Sequence, residues 1–167
     1  PGANGLRVLP YFAGERTPIA DPAARGVLAG LTLDHERGHI FRALLEATAF
    51  GVRHNLEAFG DAGVAIERVV SVGGGTHRGL WPQIVSDVTG QRQVVPEITI
   101  GAAYGDARLA AEAVGTDTTR WNPAARAIIP DDDASRVYDR AYVQYRELYE
   151  VTKHLIHELA AENGYSG

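Results

Sequence analysis

Residues 68–95 read RVVSVGGGTHRGLWPQIVSDVTGQRQVV, and the fold turns on them. Val69, Val70 and Val72 are β-branched, stand in a short apolar run and stop at three consecutive glycines, which predicts a buried strand ending in a tight turn. Leu80, Trp81, Ile84, Val85 and Val88 then recur at helical spacing, with Pro82 tolerated in a first turn where no intrahelical amide bond is lost. Gly90 closes that helix, and residues 93–95 give a second strand. Glycine lacks a Cβ, so it reaches positive φ and lets a ligand approach the main chain, while the unpaired amides of a helix start favour an anion. A nucleotide phosphate suits such a corner. Neither the six-residue dinucleotide fingerprint nor a P-loop is present, and a tight connection with no ligand is the other reading of the same residues.

Outward from this unit, residues 101–114 predict a further helix, GAAYGDARLAAEAV. Gly costs about 1 kcal/mol against Ala inside a helix, so Gly101 and Gly105 need either close packing or a ligand as their reason. Upstream, residues 6–11 form a strand that Pro10 ends, and residues 26–33, GVLAGLTL, a second buried strand, the two pairing antiparallel. Asp34 then caps a long helix to Phe59, with Glu36 in its first turn. Ala43, Ala47 and Gly51 on that helix permit close approach of a neighbour. Downstream, residues 115–130 have the make-up of a connection. Asp131, Asp132 and Asp133 open a last helix over residues 131–164, stopped by Asn163 and Gly164, in which Tyr138, Tyr142, Tyr145, Tyr149, Thr152, Ile156 and Leu159 make one docking stripe. Strands alternating with helices after Asp34 mean an α/β domain with a mostly parallel sheet.

The chain of 167 residues fits one domain and can bury a core. A net charge of −5, with bases scattered among acids, argues against a nucleic-acid partner, and no apolar run reaches membrane-spanning length. With no cysteine, disulfides and thiolate metal sites are excluded and a reducing cytoplasm is permitted. A start at PGANG without an initiator methionine leads us to expect further sequence upstream.

Two other clusters carry chemistry. Residues 35–39 read HERGH, matching the pattern in which two histidines hold zinc and the intervening glutamate activates water. His35, Glu36 and His39 thus give a zinc-peptidase alternative, set against solvent-facing first-turn residues weakened by Gly38. His154 and His157 lie in a charged, exposed stretch. In the loop AGERTPIADPAARG, Glu15, Arg16 and Asp21 either order the loop by ion pairing or point into a cleft.

Four segments together resemble one family. Residues 26–46, GVLAGLTLDHERGHIFRALLE, resemble the second signature of the FGGY carbohydrate kinases, departing at Leu44, where a smaller or β-branched residue is usual. Residues 10–26 resemble the loop preceding it in the xylulokinase-like branch, residues 73–90 that branch's adenosine motif with Gln83 and Asp87 in place, and residues 96–111 fit through Glu97, Gly101, Ala102 and Ala103.

The resemblance implies an actin-like, ribonuclease-H-like α/β fold, a mixed sheet flanked by helices, in which two domains close on ATP and a sugar with Mg2+. Residues 1–167 would be the C-terminal nucleotide-binding portion, with residues 131–164 its docking helix and the N-terminal domain of the same protein as its partner. A homodimer is compatible with it. Gly73, Gly74 and Gly75 would let the main chain approach the phosphate and ribose, and Arg78, in place of a smaller polar residue, would border the adenine, where its planar guanidinium can stack. Glu15 and Arg16 would shape the loop beside the cleft as substrate-loop candidates, the sugar being a pentulose such as xylulose. Asp21, Asp34, Asp61, Asp87 and Asp106 do not match the motif of the family's base, so no catalytic residue and no metal ligand is assigned here, and the chain alone is expected to be inactive. A non-catalytic actin-like module is a further alternative.

Overall fold

The computed structural model describes residues 1–162, so the expected helix stop at Asn163 and Gly164 lies outside the described residues. Strand β1 (Arg7–Leu9) pairs antiparallel with β2 (Val27–Ala29), Val8 opposite Leu28. The second strand is shorter and less covered than the apolar run 26–33 suggests: Leu28, Leu31 and Leu33 are exposed. Gly30 turns the chain away at φ +85, with Gly5 O so near that a Cβ there would lie 2.9 Å from it.

Helix α1 (Arg37–Asp61) starts two residues later than expected. Asp34 does not cap it. Glu36 does, in a reciprocal box in which its carboxylate accepts the His39 amide while its own amide donates to His39 Nδ1 at 3.0 Å. Ala43 and Ala47 face β1 and pack with Ala3, Leu6 and Val8, which is why small residues recur there.

Strand β3 (Val69–Val70) leads through the glycine corner to α2 (Leu80–Thr89) and back to β4 (Gln93–Pro96), which lies parallel to it. Gly90 ends α2 at φ 66, as a left-handed cap should. Helix α3 (Ala102–Ala113) follows. The expected connection over 115–130 contains a strand, β5 (Ala124–Ile128), antiparallel to β4. AARAI has little β preference of its own; the partner strand supplies the pairing. The sheet order β3-β4-β5 is therefore mixed, not mostly parallel. Val70 of β3 and Val72 beyond it, expected to be buried, are exposed, since they face α3, a helix that buries no residue.

Helix α4 (Asp132–Glu162) begins where Asp131 Oδ1 accepts the Ala134 amide at 2.8 Å, with Asp132 and Asp133 in the first turn beside the positive end of the dipole. Its tyrosines 138, 142, 145 and 149 and Ile156 are buried against Leu9, Tyr11, Phe50, Ile84 and Val88. Leu159 lies exposed beyond the stripe. Among the described residues no helix is long and apolar enough to cross a membrane.

Candidate functional site

The corner between β3 and α2 is fixed from three sides. Ser71 N donates to Val94 O at 2.9 Å and Gly73 N to Thr99 O at 2.6 Å. Gly74–Thr76 forms one 3-10 turn, in which the buried Thr76 donates its hydroxyl proton to Gly73 O at 2.7 Å. Below, the buried Gln93 of β4 donates to Pro82 O at 2.7 Å and to Ser86 Oγ at 2.8 Å, and accepts from the Ser71 hydroxyl. Arg126 of β5 donates to Thr76 O.

The three glycines have three different reasons. Gly73 stands at φ +89, a conformation L side chains rarely adopt. A Cβ on Gly75 would lie 2.9 Å from the Trp81 ring, itself tied to α1 by its indole N–H donating to Thr48 Oγ1 at 2.9 Å. Gly74 has neither constraint: its φ lies outside the positive region and a Cβ would meet nothing within 4 Å. Main chain is thus exposed at 74 and 75 and half-buried at 73, but only at 75 does the protein's own ring take the place of a side chain. Arg78 is exposed at the rim. Gln83 and Asp87 point inward instead: Gln83 donates to Asp87 Oδ1 at 2.7 Å, which also accepts the Asp131 amide at 2.9 Å, so the pair ties α2 to the start of α4.

Helix α3 has no buried residue. A Cβ on Gly105 would meet open space, and one on Gly101 would make ordinary contact with Val72 at 3.5 Å. Close packing therefore gives no reason for Gly105. Between β3 and α3 lies a hollow of ≈ 320 Å³ lined by Val70, Val72, Gly101, Tyr104 and Arg108 among others. Glu15 and Arg16 line a separate hollow of ≈ 310 Å³ and do not join the glycine corner.

The HERGH motif is not a zinc site. His35 precedes the helix, so the two rings do not share a helical turn; they meet edge to face with centroids 5.5 Å apart. His35 accepts from the Thr32 amide at Nδ1 and sits 3.0 Å from Asn4 O through Nε2, His39 and Glu36 are used in the cap, and no three His, Asp or Glu side chains converge among the described residues. The zinc-peptidase alternative falls on this geometry.

Asp21, expected to order its loop by ion pairing or to point into a cleft, finds partners on α4 that the sequence did not indicate. Asp21 is buried; its Oδ2 accepts from Tyr149 OH at 2.7 Å and lies 2.6 Å from His157 Nε2, while Oδ1 accepts the Ala23 amide at 3.0 Å. Burial pushes this carboxyl up, but the hydrogen bonds from His157, Tyr149 and the Ala23 amide outweigh it and hold it below the usual range. His157, expected in a charged, exposed stretch, is half-buried and reaches Asp21 beside Ile156 at the edge of the tyrosine stripe.

Residues 1–114 match the family described as "FGGY family of carbohydrate kinases, C-terminal domain". The chain belongs to this family. The xylulose kinase of Bacillus subtilis (strain 168) is 36% identical over 160 residues, covering 92% of this chain and 32% of its own length. The crystal structure of xylulose kinase from Rhodospirillum rubrum superposes with a TM-score of 0.80 at 37% identity, over 93% of this chain and 32% of that one. Plasmodium falciparum glycerol kinase with ADP superposes at 0.72 with 25% identity, over 87% and 31%. The FGGY chain thus spans about a third of the length of the curated relatives it matches.

Proposed function

We propose that residues 1–167 form the nucleotide-holding part of an ATP-dependent sugar kinase with an actin-like, ribonuclease-H-like fold, which transfers the γ-phosphoryl group to a hydroxyl of a pentulose such as xylulose. The observation that carries this is Gly74, a glycine with no conformational or packing reason of its own at a solvent-open corner. The phosphates of ATP would lie against the main chain of Gly73 and Gly74, where the Gly74 amide begins a helical turn and favours an anion, while the Gly73 amide stays on Thr99 O. Arg78 would cover the base with its planar guanidinium. Gly75 would stand behind, shaped by Trp81.

Among the described residues no three His, Asp or Glu side chains converge, and none is assigned to the magnesium ion that would accompany the nucleotide and take most of its ligands from phosphate and water. The buried aspartates are likewise engaged: Asp87 holds Gln83 and the Asp131 amide, and Asp21 holds Tyr149 and His157. This supports placing the base outside residues 1–167, near the beginning of the same domain, and most sugar contacts in the N-terminal domain, with phosphoryl transfer waiting on closure of the two. Glu15 and Arg16 would border the acceptor.

Calorimetric titration of the intact protein with ATP and magnesium tests the reading. Gly74→Val should keep the wild-type melting temperature, since the added atoms enter open space, and should lose nucleotide binding. Equal affinity in both proteins would sink it.

A further inference from the structure

Residues 15–21 close on themselves. Glu15 N donates to Asp21 O at 2.9 Å and Asp21 N to Glu15 O at 2.7 Å, while Ala20 N donates to Arg16 O at 3.1 Å across the ring. At the neck a Cβ on Gly14, at φ +78, would lie 2.7 Å from Pro22 O, so the two strands of the neck touch through bare backbone. Such a ring keeps its own shape but is not thereby held against the body of the protein. Ile19 packs against the tyrosine core, and the Asp21 side chain supplies the polar hold, taking Tyr149 and His157 from α4 on one oxygen and the Ala23 amide on the other. Asn55 of α1 adds a weaker tie, donating to Thr17 O at 3.3 Å. Tyr149 is in turn fixed edge-on against Tyr11, ring centroids 5.8 Å apart, and Tyr11 shares a hydroxyl hydrogen bond with Tyr145 at 2.8 Å. A buried carboxylate with three hydrogen bonds thus stands at the root of the ring, while Arg16 is exposed at its far side beside the ≈ 310 Å³ hollow.

We propose that Asp21 is a positioning residue through which α4 sets the placement of Glu15 and Arg16, making the last helix part of the acceptor-binding apparatus. The proposal rests on the reading of the 15–21 ring as bordering the sugar. Hydrogen bonds to a charged acceptor are the stronger kind, and removing the charge leaves Tyr149 and His157 competing for one neutral oxygen.

The test uses the intact protein with Asp21→Asn and, as a milder break, His157→Gln. Trypsin cleavage after Arg16 is followed by mass spectrometry and divided by cleavage after Arg120, an exposed site in a distant loop. In Asp21→Asn this ratio should rise about tenfold, the factor that corresponds to about 1.4 kcal/mol, and in His157→Gln by less. The KM for the sugar should rise with it while the KM for ATP stays unchanged. An unchanged ratio, or equal acceleration at both arginines, overturns the anchoring role. A raised ratio with an unchanged sugar KM overturns the coupling to the acceptor. Failure of the full-length wild-type protein, N-terminal domain included, to phosphorylate any sugar would sink the kinase reading instead, and the cleavage ratio would still decide whether Asp21 holds the ring.

Discussion

The side of the molecule where β1, α1, α2 and α4 meet differs sharply from the layer of β3, β5 and α3. On the first, five tyrosines and Phe50 are buried, and the polar groups enclosed with them are bonded to one another. On the second, Val70, Val72, Ile100 and Leu109 face solvent and α3 buries nothing. Burial of apolar area is the main favourable term in folding, so stability is concentrated on the first side. The glycine corner lies at the border, with α2 rooted in the core and β3 in the open layer. Substitutions should therefore separate the two properties: core changes cost stability, and changes at the corner cost binding.

The sharpest break of that comparison is Tyr138→Ala. Tyr138 is fully buried, packs edge-on against Phe50 and donates to Glu46 Oε1 at 3.0 Å. Truncating it should cost about 3–5 kcal/mol, read as a lower denaturation midpoint. A loss below about 1 kcal/mol would mean that the tyrosine stripe is not where stability resides.

Glu46→Gln comes next. Oε1 of this buried carboxylate accepts from the Gly2 amide at 2.9 Å, Arg42 Nε at 2.8 Å and Tyr138, while Oε2 has no partner. Loss of the charge should cost about 2 kcal/mol in the same measurement, since charge-assisted bonds are the strong ones and Arg42 is only partly solvated.

The pH dependence of stability sharpens the contrast further. Asp21 titrates below the usual carboxylate range, so its unfolded form binds a proton first as pH falls. Its contribution is fully present above the unfolded value of about 4 and is lost as pH drops through the lower folded value. Wild type should exceed Asp21→Asn in stability at neutral pH, and the gap should close below about pH 4. A gap that persists undiminished at low pH would mean that charge is not what the site needs.

How much of this was legible in the sequence follows the same division. The tyrosine stripe, the cap at Gly90 and the strand-corner-helix unit are local patterns, and they stand where periodicity put them. β5 escaped because AARAI carries no signal without β4, and the cap moved from Asp34 to Glu36 because His39 completes a box that a single candidate residue does not reveal. Val70 and Val72 read as buried since β-branched runs usually are, yet exposure depends on what lies across the sheet. At the corner, three glycines look alike in sequence. Only the position of Trp81 separates Gly75, bare for internal reasons, from Gly74, bare without one.

The smallest expected effect lies in α3. Leu109 is 67% exposed, so Leu109→Ala in the 167-residue chain removes little area from contact and replaces leucine by the best helix former. The change in stability should stay within about 0.5 kcal/mol, the ordinary range for surface positions. Measured at rising protein concentration, it should not move, because a monomer's exposed side chain has nothing to lose. A cost that grows with concentration would mean that a second copy covers α3, and the open layer would then be an interface whose apolar side chains are buried only in the assembled state.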